Sequence, residues 1–570
     1  MADSTGDNHK DRPRACAYCN RSKTKCSLSS GPGTGSCQRC TRLKRPCSMP
    51  EQNERRRRGP STRVGQLEEK LDGIMSLLSA SQGLQQLATP TLSNSSTPPT
   101  FGLPLESLQN PPPPVSRSAR YAPRAGSFEV VPGFQVTGDE AERFLNLYRS
   151  EYSPKFPFVP ISPEVAPDEL FQSRPFLFRV IIQIIAPQTA ETQREVAQWV
   201  RQHVSHHVLV VQERRLELLQ GLLLYIGWAN HFNFCIDYGG TALFQLLVGM
   251  ALEAGLGKPG RPRTNTPNHL LDEARRVKGF KARRPHTLED MRAMLGVFYL
   301  NSLATSLFYH MPMCPYSAYL RTCRQAIEST AEFESDRFLS ILVQMLHVGC
   351  RTHYTFPNPE MDGSEPVEFT GASHMVLTSV KRELEALRKE TPPEIRASCM
   401  FDLCYKGILV RLYEPVIYMN PTSAFADGAA WRSEALWFCL EAAKSYLVAY
   451  LNNPAEQIPY LPCQVFSYFS FTLITVTRLL FLNDSDWNQA EARKAMDFVT
   501  LARQLSDHLS RGGQAEAAGA RKIRYIEDGY SFLGMSAEKM RWIGSWYLSK
   551  QGPADEVQRH QQQPHLPTRG

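Results

Sequence analysis

The stretch "CAYCNRSKTKC", residues 16–26, returns at residues 37–47 as "CQRCTRLKRPC". Both read C-x2-C-x6-C, and the "SLSSGPGTGS" between them is rich in turn-forming residues. Two thiolates three residues apart can reach one metal ion, so a duplicated C-x2-C points to metal binding. Six sulfurs cannot fill two separate four-sulfur sites, yet they complete two tetrahedra if two of them are shared. The pattern therefore predicts a binuclear zinc cluster of Cys16, Cys19, Cys26, Cys37, Cys40 and Cys47, with two Zn²⁺ per chain. The segment has almost no apolar residues for a core, so metal should supply most of its folding free energy. A disulfide framework would want a secreted chain, and "MADSTGDNHKDRPR" at the N-terminus has no apolar export segment. A redox C-x-x-C would want a βαβ context, which the surrounding pattern lacks.

The same region is basic. Residues 1–60 hold fourteen Lys and Arg against five acidic residues, whereas the whole chain of 570 carries only +8. The positive field is thus confined to one small unit, which points to a polyanionic partner for that unit alone. Arg55, Arg56, Arg57 and Arg58 extend it and suit both phosphate contact and nuclear import. Next, Val64, Leu67, Leu71, Ile74 and Leu78 alternate spacings of three and four, the seam of a short coiled coil. A helix packing on its own chain is the alternative reading of that seam.

The remaining organisation follows from composition. Residues 1–13 are polar and read as disordered, 14–49 as the cysteine module, 50–63 as a basic linker and 64–88 as the dimerisation helix. Residues 89–136, with "NPPPPVSRS", read as a disordered Pro/Ser/Thr-rich linker. "TGDE", residues 137–140, is a capping-box signature that opens a helix with Phe144, Leu147 and Tyr148 on one face. Helical periodicity then runs to about residue 550, in segments such as "PFLFRVIIQIIA" and "EALWFCLEAAKSYLVAYL". The expected class is mostly α: the small cluster module, a short coiled coil, and one large all-α unit over 137–550 with a disordered tail at 551–570. The most apolar stretch, "CQVFSYFSFTLITVTRLLFL" from Cys463, contains hydroxyls and Arg478 and reads as a buried core helix, with no membrane partner.

All six cysteines are in register with the fungal Zn2Cys6 binuclear-cluster transcription factors, which residues 16–47 closely resemble. The resemblance implies that Cys16 and Cys37 bridge both metals, leaving Cys19, Cys26, Cys40 and Cys47 terminal. It implies a nuclear protein that reads double-stranded DNA with the end of its first short helix in the major groove. Lys23 stands at the position that reads guanines of CGG-type half-sites, and Lys25 matches a second basic position. Asn20 and Ser22 depart from the family, which commonly has Arg and a basic residue there; Arg21 can supply a phosphate contact from another angle. Arg39, Arg42, Lys44 and Arg45 read as phosphate contacts that position the module without choosing sequence. Further along, "FPFVPI" from Phe156, "LLQGLLLYIGWANHF" from Leu218 and "RAMLGVFYLNSLATSLFYHMPMCPYSAYLRTCRQAIE" from Arg292 resemble the middle homology region of these regulators. The resemblance implies a homodimeric regulator of RNA polymerase II genes, acting on the transcription machinery and on a metabolic or secondary-metabolite gene cluster.

An enzyme with a helical catalytic domain and an accessory zinc module is the competing class. Little in the sequence favours it. "GLGKPG", residues 255–260, has the letters of a dinucleotide loop but follows a helical run and carries Pro259 where a helix should open. His203, His206 and His207 lack an acidic or cysteine partner at helical spacing. The eight other cysteines, from Cys235 to Cys463, sit in apolar contexts and read as buried thiols, and Trp228, Trp437 and Trp546 read as core residues.

Overall fold

The computed structural model describes residues 16, 18, 19, 26, 36–45 and 47, and then 126–228, 240–259, 285–308, 312–356, 363, 365–421, 428–518 and 532–551. The chain divides into two compact units, Met1–Val115 and Ser116–Gly570. The proposed coiled-coil positions Val64, Leu67, Leu71, Ile74 and Leu78, and the basic run Arg55 to Arg58, lie outside the described residues.

The larger unit is mostly α, as its periodicity predicts, but its first described element is not a helix. Ser127–Val131 and Phe134–Thr137 form an antiparallel hairpin, with Phe128 opposite Val136, inside the stretch read as linker. Gly133, at φ +88°, takes the left-handed position that the Pro132–Gly133 turn requires. Phe128, Val130, Val131 and Val136 are buried, so the hairpin belongs to the core. A second departure from an all-α reading is the two-residue parallel bridge of Glu368–Phe369 with Asn420–Pro421.

The hairpin runs directly into the capping box. The Glu140 amide donates to Thr137 Oγ1 at 3.3 Å, and the Thr137 amide donates to Glu140 Oε2 at 2.9 Å. Two orphan donors at the start of helix Gly138–Leu147 are thereby satisfied. The buried face of that helix centres on Ala141, Leu145 and Tyr148, with Phe144 and Leu147 half-buried on its flanks. "FPFVPI" forms an aromatic plug: Phe156 stands 4.9 Å from Phe158 and 5.6 Å from Trp228, and Phe158 lies 5.2 Å from Tyr299. Tyr148 Oη donates to the Val159 carbonyl at 2.6 Å, which fixes the plug to the first helix.

Helices that are apolar all round occupy the interior. In Pro175–Ile185, Phe176 to Phe178 and Val180 to Ile185 are buried, Gln183 among them, and Arg179 is the residue that reaches toward the surface. Leu288–Phe308 packs against Leu216–Gly227, Gly240–Glu253, Ala318–Thr330, Asp336–Cys350 and Cys463–Phe481. Cys463–Phe481 is long and apolar enough to cross a membrane by composition, but 67% of its most apolar window is buried inside the unit, as expected of a core helix. Trp228 is fully buried, whereas Trp437 and Trp546 are half-buried and pack against the core from its rim. Among the described cysteines of this unit, Cys323, Cys350, Cys404, Cys439 and Cys463 are buried, and Cys314 and Cys399 are partly so. Cys235 lies outside the described residues.

One close approach fixes the register of two core helices. A Cβ at Gly407 would fall 2.5 Å from Tyr468 Cγ, and Tyr468 is itself buried. Gly407→Ala should therefore destabilise the larger unit by about 1–3 kcal/mol through overpacking, measured as a lower urea midpoint by circular dichroism.

Candidate metal centre

The N-terminal unit gathers its cysteines by short-range backbone geometry, and the same geometry occurs twice. Cys37 is the N-cap of the helix Gln38–Arg42, and its Sγ accepts the Cys40 amide at 3.4 Å, as a Ser or Thr hydroxyl would. The Cys19 amide favours the Cys16 thiolate in the same way. The third cysteine of each half closes on the first: Cys26 Sγ accepts the Cys16 amide at 3.4 Å, and Cys47 Sγ accepts the Cys37 amide at 3.3 Å. In each C-x2-C-x6-C the third cysteine thus bonds back to the first.

The two loops meet sulfur to sulfur. Cys16 Sγ lies 3.8 Å from Cys37 Sγ and 3.7 Å from Cys40 Sγ, and Cys19 Sγ lies 3.7 Å from Cys37 Sγ. These separations are far beyond the ~2.05 Å of a disulfide. They match the ~3.8 Å between sulfurs that tetrahedral Zn²⁺ imposes at a Zn–S distance of about 2.3 Å. The six atoms form two quartets able to hold a metal ion, Cys16–Cys19–Cys26–Cys37 and Cys16–Cys37–Cys40–Cys47. Cys16 and Cys37 belong to both.

The electrostatics distinguish the shared pair. The Cys40 amide brings the Cys37 thiol down to about 6, and the Cys19 amide lowers Cys16. Burial pushes Cys19 up to about 12 and raises Cys40 as well. Backbone amides also favour the thiolates of Cys26 and Cys47, but those two are raised on balance, so the two sulfurs that serve both quartets are the two shifted downward. The core of this unit is Cys16, Cys19, Cys37 and Cys40, with Tyr18, Cys26 and Cys47 packed against it. Among the described residues it contains no aliphatic side chain.

The basic residues divide three ways. Arg21, Lys23 and Lys25 lie outside the described residues. Arg42 and Lys44 are exposed, while Arg39 is half-buried with its Nε unpartnered. Arg45 is also exposed, but it is engaged: its Nη1 donates to Tyr18 Oη at 2.7 Å, and its guanidinium carbon lies 5.0 Å from the Tyr18 ring centroid. A Schellman turn brings it there. The Lys44 amide bonds the Thr41 carbonyl at 3.1 Å, and the Arg45 amide bonds the Cys40 carbonyl at 3.0 Å. Lys44 takes the left-handed residue of that turn, φ +47°, where glycine is usual. Sequence reading missed this pair because it joins positions 27 apart.

The histidine cluster of the larger unit is a ring stack. His203 lies parallel to Phe176 at 4.8 Å, beside Trp199 at 4.7 Å and His207 at 4.2 Å. Burial pushes His203 down to about 4, so it is neutral at pH 7. The acidic partner that the sequence did not reveal is Glu213, 3.3 Å from His207 Nδ1. These side chains do not form a third metal-holding group among the described residues. Gly255, at φ +80°, ends a helix and opens none in the described residues that follow it.

This chain has relatives that are named as transcription factors or transcriptional regulators. It is 24% identical over 92% of its length to "Transcription factor opdL" of Penicillium oxalicum, covering 88% of that protein. It is 24% identical over 78% of its length to "Transcription factor himD" of Aspergillus japonicus, covering 69% of that protein. "Transcriptional regulator WAR1" of Candida albicans is 22% identical over 61% of this chain and 36% of its own length. No family model matches the chain. No solved structure matches it either. The first match is too long to be housed in Ser116–Gly570 alone, so that similarity reaches into the cysteine-bearing unit.

Proposed function

We propose that this chain is a nuclear, sequence-specific DNA-binding regulator of RNA polymerase II transcription, organised by a Zn2Cys6 cluster. The observation that carries the reading is the pair of four-sulfur groups sharing Cys16 and Cys37 at tetrahedral spacing. Two Zn²⁺ would supply cross-links in place of a hydrocarbon core, and Cys19, Cys26, Cys40 and Cys47 would be the terminal ligands. Six thiolates and two Zn²⁺ leave a charge of −2, which the surrounding Lys and Arg offset. Lys23 then donates to the O6 and N7 acceptors of guanine in a CGG-type half-site, with Lys25 and Arg21 beside the backbone. Arg39, Arg42 and Lys44 contact phosphates. Residues 64–88 pair two copies and so set the half-site spacing, which molecular mass with and without residues 64–80 tests. Recognition then recruits the transcription machinery at a metabolic or secondary-metabolite gene cluster.

Two measurements test the reading. Zinc chelation should abolish binding to CGG-containing DNA, and Lys23→Ala should cost about 1–3 kcal/mol of discrimination against mutated triplets. Chelated protein that binds such DNA as tightly as zinc-loaded protein at matched salt would refute it. The left-handed Lys44 offers a second check, because a non-glycine residue pays roughly 1–2 kcal/mol for that conformation. Lys44→Gly should slow zinc loss to a competing chelator while weakening DNA binding and flattening its salt dependence by about one phosphate contact.

A further inference from the structure

We propose that Arg45 is a latch between the two cysteine loops and not a contact to DNA phosphate. Tyr18 belongs to the first loop and Arg45 to the second, and they meet through one hydrogen bond of 2.7 Å and a stacked guanidinium 5.0 Å from the ring centroid. Apart from the sulfurs, it is a side-chain bond that joins the two cysteine halves. The Schellman turn at Leu43–Lys44 aims Arg45 back across the sulfur core, toward the first loop. Tyr18 sits between Cys16 and Cys19, two members of the first sulfur quartet. Tyr18 already takes one N–H and one face of the Arg45 guanidinium, so a phosphate contact would have to share or displace that geometry. The latch ties the first cysteine half to the second through side chains outside the sulfur core. Arg45 and Tyr18 are thus positioning residues that set one cysteine half against the other.

This inference rests on the DNA-binding reading for its main readout and has a second readout that does not. In the zinc-loaded full chain, Tyr18→Ala, Arg45→Ala and Arg45→Lys should each weaken binding to CGG-containing DNA roughly three- to tenfold at fixed salt. The salt slope should stay at the wild-type value, and Tyr18→Ala with Arg45→Ala should be no weaker than either alone. Arg45→Lys is the deciding variant, because it keeps the charge a phosphate needs and loses the planar stack and fork. Wild-type affinity in Arg45→Lys, or a slope reduced by about 0.9 in Arg45→Ala with additive loss of Tyr18, makes Arg45 a phosphate contact and overturns the latch. If the wild-type chain does not bind such DNA, the DNA reading fails by itself, and the latch is read from zinc release to a chromophoric chelator. Tyr18→Ala and Arg45→Ala should then accelerate release equally and without additivity; release at the wild-type rate overturns the latch.

Discussion

Cys37→Ala should empty both metal positions, whereas Cys47→Ala should empty one. Cys37 and Cys16 belong to both sulfur quartets, and each other cysteine belongs to one. Removing a shared sulfur leaves two incomplete sites that still hold buried thiols, and the surviving ligands cannot close a tetrahedron around either ion. Zinc content by mass spectrometry under non-denaturing conditions should fall from two to zero per chain for Cys37→Ala and Cys16→Ala. For Cys47→Ala and Cys26→Ala it should fall to one. Binding to CGG-containing DNA should drop to the non-specific level in the first pair, a loss on the order of 10³-fold or more. Equal zinc content in the two classes of variant would mean that no sulfur is shared.

Asp336→Ala should destabilise the larger unit by about 3–5 kcal/mol, the greatest effect expected of a single change there. Asp336 is fully buried and takes both ends of the buried Arg292 fork, Nε to Oδ1 and Nη2 to Oδ2, each at 2.8 Å. Glu332 shares Nη2 at 2.8 Å, and the guanidinium lies 4.8 Å from the Phe333 ring. The pair joins Leu288–Phe308 to Asp336–Cys350, two helices of the interior. The alanine leaves a buried cation with one half-exposed partner, which costs far more than the pair itself contributes. Replacing both members, Arg292→Met with Asp336→Leu, should recover much of the loss because no charge is then stranded. Urea denaturation of the full chain, followed by circular dichroism, checks both; a double variant no better than Asp336→Ala would overturn the explanation.

These two sites differ in how far the sequence reveals them. The cysteine quartets are legible because their geometry is local. In each half, one cysteine caps a helical turn, the next supplies its amide, and the third folds back within ten residues. Helical class is legible for a similar reason, since apolar periodicity over segments such as "PFLFRVIIQIIA" acts within one element. The 127–137 hairpin was hidden by its own turn: Pro132 and Gly133 resemble the preceding linker in composition, although "FEVV" and "FQV" alternate as strands do. The His203 stack and its Glu213 partner depend on where Phe176 and a later turn arrive, which no spacing rule encodes. Arg292 with Asp336 and Arg45 with Tyr18 are hidden by distance along the chain. A basic residue in a basic segment gives no sign that its guanidinium also bonds a phenol 27 positions away.

The sulfur core has a thermodynamic consequence. Folding that buries hydrocarbon leaves a large heat-capacity increment and a denaturant slope proportional to the area exposed on unfolding. A core of Cys16, Cys19, Cys37 and Cys40 buries very little such area. The recognition head should therefore respond weakly to urea, osmolytes and moderate heat, the variables that govern the helical unit. It should answer instead to chelators, oxidants and acid, each of which competes for the thiolates. Two parts of one polypeptide would then report on different features of their surroundings: one on temperature and solvent, the other on free metal and redox state.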